Sequence, residues 1–356
     1  MLEIGICNLT GMAIRDAVNS NMMEIINICG QLNRVASCEI INHCNEPLPF
    51  KSVSVQEASI NSEKYDAVLV MNSSPNFFSG EFNEGVISIY KLLAKLHCPI
   101  FYLFNDMRLK PPQLWTRVRT KKWNIWREED FKITAPVYIV SQFKSIGGRW
   151  LDNLAKRVDL RDVKHVDFGV WLLDGYQSKL IENDGEYDLI YGGSFRGGSR
   201  EQKFEEFLFG RRSSVAIYGS MKESQFGNAG DANGQPEFLR KKVKAADVIK
   251  MNAKGFSTIV VGEKGYNGNI ETIRLYEAML ASSVCFIDDD FDSAHEILGN
   301  GFSYVKSGDE IDEKIALLKS DQGLHSQILE DQLSYLERKS RVNYIDELVS
   351  YIEEKA

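Results

Sequence analysis

The sequence predicts an α/β protein built of two doubly wound domains with parallel sheets, and three observations carry that expectation. Apolar, strand-like runs alternate with helical patterns through the 356-residue chain, the signature of strands joined by helical crossovers. Two of those runs stop at glycine and pass directly into a helical pattern, at Gly192-Gly193 and again at Gly262. A chain of this length also suffices for two domains of ordinary size, each with its own core.

In order, the first half offers strands at 3–7, 38–42, 66–71, 99–104 and 137–140, with helices at 14–32 and 83–96. The second half offers strands at 189–191, 215–218, 258–261, 284–287 and 303–305. Its helices are expected at 200–209, 270–280 and 293–298, and the charged segment 321–354 reads as helical. A polar stretch at 178–187, containing Glu-Asn-Asp-Gly-Glu, is the natural linker. The expected domains are 1–178 and 186–335, followed by a C-terminal helix at 336–356 that crosses back to the first domain. Neither an internal repeat nor a low-complexity tract is present.

Bulk properties exclude some classes. The six cysteines show no Cys-x-x-Cys spacing and lie mostly in apolar stretches, as reduced core thiols do. The N-terminus reads as a first strand, and no apolar segment reaches membrane-spanning length, which argues against secretion and membrane insertion. His43, His97, His165, His295 and His325 are scattered, so no cluster with metal-ligand spacing demands a metal. A net charge of −8 repels nucleic acid overall. One stretch runs against it: Arg108, Lys110, Arg117, Arg119, Lys121, Lys122 and Arg127 occur with no acidic residue and with Trp115, Trp123 and Trp126 interleaved. Such a stretch fits phosphate neutralisation with aromatic stacking, and it equally fits a surface loop anchored by tryptophans.

The segment Tyr191-Gly-Gly-Ser-Phe-Arg-Gly-Gly-Ser-Arg200 reads as a diphosphate cradle. Paired glycines let the backbone approach a ligand closely, and the N–H groups of a helix start point at an anion. Arg196 and Arg200, four apart, add two forked cations suited to phosphate oxygens. Taken alone, the glycines are equally a tight turn. A second cluster, Gly262 through Tyr266 and on to Arg274 and Glu277, repeats the pattern of strand, glycine and helix. Arg274 and Glu277 lie three apart on one helical face, where an arginine can hold phosphate and a carboxylate the hydroxyls of a ribose.

Five blocks in the same order, at 70–80, 101–109, 139–142, 191–209 and 262–277, resemble the DNA β-glucosyltransferase family of T-even bacteriophages. The resemblance implies a GT-B type glycosyltransferase fold, two Rossmann-like domains facing across a cleft, with the acceptor bound by the first and a UDP-sugar by the second. It further implies an inverting transfer of glucose to 5-hydroxymethylcytosine in double-stranded DNA, with Asp106 as the catalytic base. Gly193, Ser194, Arg196, Arg200, Lys242, Val243, Glu263, Tyr266, Arg274 and Glu277 are the implied UDP-sugar ligands. Asn76, Phe77, Phe78, Arg108, Arg117, Arg119, Lys121 and Lys122 form the implied DNA surface. A divalent ion such as Mg or Mn is an optional helper at the diphosphate, and the expected setting is a monomer in the cytoplasm of an infected bacterium, shielding phage DNA from host nucleases.

Two positions depart from the family. Where it carries a glutamate facing the sugar, this chain reads Asn19-Ser-Asn-Met-Met-Glu24, so a pentose donor such as UDP-arabinose stands beside UDP-glucose. Glu81 stands where the family has a basic residue near DNA. A small-molecule or protein acceptor, or a non-catalytic nucleotide-sugar or DNA-binding role, are the alternatives.

Overall fold

Every long strand runs parallel to its neighbours, and the strands form two sheets in two separate units. The computed structural model of the protein describes residues 1–8, 20–42, 48–72, 84–104, 118–119, 125–126, 133–146, 151–152, 155, 158–193, 199–219, 234–239, 243–244, 247–262 and 271–356. Unit 1 comprises Met1–Trp171 together with Asn343–Ala356, and unit 2 comprises Leu172–Val342.

Unit 1 is built on β1 (Glu3–Asn8), β2 (Ser37–Asn42), β3 (Ser52–Ser54), β4 (Ala67–Asn72), β5 (Ile100–Phe104), β8 (Pro136–Ser141) and β9 (Asp159–His165). Between β5 and β8 lies a separate antiparallel pair, β6 (Val118–Arg119) and β7 (Ile125–Trp126). The seven-stranded sheet runs β3-β2-β1-β4-β5-β8-β9, so strand order reverses between β1 and β4. Its inner strands are almost continuously apolar because helices cover both faces of a parallel sheet. Ile6, Leu69, Phe101 and Ile139 are accordingly buried. The edge strand β9, Asp-Leu-Arg-Asp-Val-Lys-His, mostly faces outward and carries charge, as edge strands do. That polarity is why it is absent from the sequence-based strands.

Helix α1 (Ser20–Leu32) occupies the described part of the expected 14–32 segment, and α2 (Val55–Ile60) and α3 (Glu84–Leu93) follow it. In unit 2 the sheet is formed by β10 (Tyr187–Gly193), β11 (Val215–Gly219), β12 (Glu237–Phe238), β13 (Gly255–Val260), β14 (Val284–Asp288) and β15 (Tyr304–Val305). Their order, β12-β11-β10-β13-β14-β15, again reverses, here between β10 and β13. Successive residues of β10 feed opposite faces. Leu189 and Tyr191 join Phe204, Phe207, Ile217, Ile259 and Phe286 on one side, and Ile190 joins Ala216, Tyr218, Val243, Val248 and Met251 on the other.

The helices of unit 2 are α4 (Ser199–Leu208), α5 (Val248–Asn252), α6 (Ile273–Leu280), α7 (Gly308–Ser320) and α8 (Gln322–Ser340). The expected helix at 293–298 is corrected by the structure: the segment is a run of turns. Its cause is Asp292, whose Oδ2 accepts from the Ile297 amide at 2.9 Å and from the Tyr304 hydroxyl at 2.6 Å, bonds that compete with a helical ladder. The charged segment 321–354 is two helices, α8 and α9 (Tyr344–Lys355), each opened by a capping side chain. Asp321 accepts from the Leu324 amide and Asn343 from the Asp346 amide. α9 belongs to unit 1, where Tyr344 donates to Asn27 Oδ1 at 2.8 Å and Tyr351 to Asp162 Oδ2 at 3.1 Å. The ring of Tyr351 also packs edge-on to Phe101 and Tyr138.

The polar stretch 178–187 is fastened to unit 2. The Ile181 amide donates to Leu280 O, the Asp184 amide to Ala253 O, and Asn183 Nδ2 to Gly255 O at 2.7 Å. The division between the units falls before it, at Trp171 and Leu172.

Candidate functional site

In doubly wound sheets the point where strand order reverses leaves a crevice at the carboxyl ends of the strands, and ligands bind there. In unit 2 that point is flanked by the ends of β10 and β13. β10 ends on Gly192 and Gly193, which pair in register with Tyr218 and Gly219 of β11. A Cβ on Gly192 would lie 2.1 Å from Cζ of Tyr218. Gly219 has φ of +118°, and a Cβ there would lie 2.0 Å from the carbonyl oxygen of Gly193. A side chain at Gly192 would collide with the Tyr218 ring, one at Gly193 with the Tyr191 ring and one at Gly219 with the Gly193 backbone, so the two strands close on each other here only because these positions are glycine.

Past β10 the chain resumes as α4, whose N-terminus carries the positive end of the helix dipole. Arg200 sits in the first turn of α4. Lys203, on the same helix, pairs with the buried carboxylate of Asp288 at 2.5 Å and with Asp290 at 2.8 Å. Asp288 closes the end of β14 and also accepts from the amide of Gly262 at 2.9 Å. One carboxylate therefore ties together α4 and the chain leaving β13, the two segments that carry the glycine-rich motifs. Burial works against the Lys203 charge, but its bonds to Asp288 and Asp290 more than offset this and hold its pKa above the usual lysine range.

Arg274 and Glu277 stand in the first turns of α6, and their Nη1–Oε2 distance is 3.5 Å. Their exposures differ sharply: the Glu277 side chain is 2% exposed and the Arg274 side chain 46%. A buried carboxylate thus backs a guanidinium that is open to solvent. The Tyr218 hydroxyl, on the neighbouring strand, donates to Oδ1 of Asn252 at 2.8 Å. Burial pushes the Tyr218 pKa well up, so the phenol keeps its proton. Val243 is buried beside Tyr218, in the cluster on that face of the sheet.

The structure brings Gly193, Val243, Arg274 and Glu277 into unit 2. The backbone of Arg200 lies in the first turn of α4, and Arg119 lies in β6 opposite Ile125. Asp106, Asn76, Phe77, Phe78, Arg108, Arg117, Lys121, Lys122, Ser194, Arg196, Lys242, Glu263 and Tyr266 lie outside the described residues. Sequence reading missed Tyr218, Gly219, Asn252, Lys203 and Asp288. Gly219 alone carried a local signal, being a glycine at the end of the apolar run Val-Ala-Ile-Tyr. Among the described residues no group of three or more His, Cys, Asp or Glu could hold a metal ion, and no helix is long and apolar enough to cross a membrane.

Two parallel sheets of order-reversing topology, each in its own unit, are the architecture of the GT-B class of glycosyltransferases. Within that class the chain belongs to the bacteriophage T4 β-glucosyltransferase family. The family model matches residues 21–168. The DNA β-glucosyltransferase of Enterobacteria phage T4 is 32% identical over 294 residues, covering 80% of this chain and 81% of the relative. Crystal structures of the T4 phage enzyme agree over 99% of both chains at 26% identity, with a TM-score of 0.81 for its complex with UDP-glucose and 0.82 for its complex with UDP and Mn2+. An Anabaena protein crystallised with UDP and glucose, 10% identical with a TM-score of 0.61 and full coverage of both chains, shares the fold alone.

Proposed function

We propose that the protein transfers a sugar from a UDP-sugar to the hydroxymethyl group of 5-hydroxymethylcytosine in double-stranded DNA, with inversion at the anomeric carbon. The observation that carries this reading is the pair at the start of α6 in a member of this family: an exposed Arg274 backed by a buried Glu277, in the unit whose sheet ends on Gly192 and Gly193. The relative's name supports DNA as the acceptor and the UDP-glucose in its crystal structures supports the donor, while the hydroxymethylated cytosine comes from the family resemblance of the sequence.

The chemistry balances with these residues. Asp106, two positions past the end of β5, takes the proton of the acceptor hydroxyl as that oxygen attacks the anomeric carbon. The bond from that carbon to the UDP oxygen breaks, and UDP leaves carrying the electron pair. Negative charge grows on the diphosphate in the transition state, where Arg196, Arg200, Arg274 and the amides around Gly193 and Ser194 stabilise it. Glu277 accepts from the ribose hydroxyls, with Lys242 and Val243 at the base and Glu263 and Tyr266 along the sugar. A divalent ion such as Mg or Mn would be an optional helper at the diphosphate beside these arginines; Mn2+ is present with UDP in a crystal structure of the T4 phage enzyme.

Asn76, Phe77, Phe78, Arg108, Arg117, Arg119, Lys121 and Lys122 are the DNA surface in this reading, and the cytosine is flipped from the stack to reach the donor. The enzyme would act as a monomer in the infected bacterial cytoplasm and shield the phage genome from nucleases. The deciding experiment is mass spectrometry of nucleosides after incubating the protein with cytosine or 5-hydroxymethylcytosine duplexes and a panel of UDP-sugars. A hexose-sized gain confined to the hydroxymethylated base is expected. A pentose-sized gain would assign the donor that the Asn19–Glu24 departure allows, and no gain with any donor while UDP still binds would reject DNA as the acceptor.

A further inference from the structure

Lys203 carries the charge of a phosphate ligand, but two carboxylates already occupy it. It lies on α4 three residues past Arg200, and its Nζ meets Asp288 Oδ2 at 2.5 Å and Asp290 Oδ2 at 2.8 Å. Two carboxylates around one ammonium leave the trio net negative, which disfavours an anionic ligand at Lys203 itself. Asp288, whose side chain is 4% exposed, uses the same oxygen to accept from the Gly262 amide at 2.9 Å, and its Oδ1 accepts from the Asp290 amide at 3.1 Å. Gly262 permits this approach: a Cβ there would lie 3.1 Å from Oδ2 of Asp288 and 3.0 Å from the Phe291 amide nitrogen. In the sheet β13 stands between β10 and β14, so one carboxylate at the end of β14 holds both the chain leaving β13 and the helix that follows β10.

We infer that Lys203 and Asp288 are a positioning pair for the sugar donor: their link sets how far the first turn of α4, with Arg200, stands from the chain that runs from Gly262 into Glu263 and Tyr266. The inference rests on the reading of Arg200 as a diphosphate ligand and of Glu263 and Tyr266 as ligands along the sugar. Its physical sense lies in what a buried ion pair does. Desolvation offsets most of its attraction, so apolar residues of the same volume often stabilise a fold equally well. An ion pair at the carboxyl ends of the strands, joining two ligand-bearing segments, is better suited to fixing geometry than to adding stability. A nucleotide sugar that touches both segments depends on that geometry more than UDP does, because UDP lies mainly on the diphosphate side.

Calorimetric titration with UDP, and with whichever of UDP-glucose and UDP-arabinose the wild type binds more tightly, tests this. The wild type is compared with Lys203→Met, Lys203→Arg, Asp288→Asn and Lys203→Met/Asp288→Asn, with a melting curve for each. Lys203→Met should weaken binding of the UDP-sugar about tenfold and of UDP less than about threefold, while Lys203→Arg, which keeps the charge, should stay within about threefold for both. Asp288→Asn weakens the same link, so the double variant should also lose about tenfold, and losses that multiply would overturn the inference. The double variant removes the buried charge that Lys203→Met strands. Its melting temperature should therefore rise above that of Lys203→Met while the loss of UDP-sugar affinity persists. Recovery of affinity together with stability would reduce the pair to a structural role, and equal losses for UDP and the UDP-sugar, or none, would overturn the inference while leaving the donor reading intact. No binding of any of these nucleotides to the wild type would instead reject the donor reading, and the inference with it.

Discussion

Replacing Asp288 by alanine should destabilise unit 2 by about 2–4 kcal/mol, and the figure follows from two of the three bonds that the carboxylate accepts, those from Gly262 and Lys203. Oδ2 takes the Gly262 amide at 2.9 Å and Lys203 Nζ at 2.5 Å, while Oδ1 takes the Asp290 amide at 3.1 Å. Gly262 is buried, so its stranded N–H costs about 1–3 kcal/mol. Lys203 is 21% exposed and keeps Asp290 at 2.8 Å, so the lost ion pair, discounted for that remaining partner and for solvent, adds about 1 kcal/mol. For a unit of this size that corresponds to a melting temperature lower by about 5–15 °C. Differential scanning calorimetry with and without UDP reads it, the UDP-sensitive transition marking unit 2. Asp288→Asn is the control: its amide oxygen still accepts from Gly262, while the charge and the acceptor for the partly exposed Asp290 amide are lost, so a smaller cost of about 1 kcal/mol is expected. If the alanine and asparagine variants melt together, the Gly262 amide does not depend on Asp288 and the reasoning fails.

Four further outcomes are expected, the first three from the structure and the last from the proposed role of Asp106. Gly219→Ala should cost at least about 2 kcal/mol in urea unfolding and weaken UDP binding, because φ of +118° and a carbonyl 2.0 Å from the new Cβ both oppose it. Gly210→Ala, at φ +64° with open space around it, should cost about 1 kcal/mol and leave UDP affinity alone, and equal costs at the two positions would contradict this. Asp188 is opposed by burial, but Lys319 and the Ser214 amide outweigh it and hold its pKa below the ordinary carboxylate range. Its stabilisation is therefore present above about pH 4 and lost as pH falls through the depressed value. Asp188→Asn should remove about 0.5–1 kcal/mol at pH 7, discounted for partial exposure, and flatten the acid limb of stability against pH; an unchanged limb would contradict it. Asp106→Ala should slow sugar transfer by about 10²–10⁴ while UDP affinity stays within twofold, and a parallel loss of UDP binding would count against a role as base.

How much of this was legible beforehand depended on whether the information was local. The ten expected strands all exist because each is an apolar run that a parallel sheet buries on both faces, and burial leaves a mark on every residue of such a run. β9 escaped because an edge strand keeps its polar residues, and β3 and β12, at three and two residues, are too short to show a period. The false helix at 293–298 failed for the opposite reason: its composition permitted a helix, and a buried aspartate took the local amides instead.

The sequence by itself determined the two series of strands and helices, the glycines that end β10 and open the chain after β13, and the pairing of Arg274 with Glu277, since residues three apart on a helix share a face whatever surrounds them. Only the tertiary structure decided that Lys203 meets Asp288 across 85 residues, that Tyr218 meets Asn252 across 34, and that Tyr344 returns across 317 to Asn27 in the first unit. Periodicity states that a side chain is buried or that a charge needs a partner. Which partner it finds is set by the strand order of the sheet, which brings the ends of β10, β11, β13 and β14 to one edge although the chain visits them far apart.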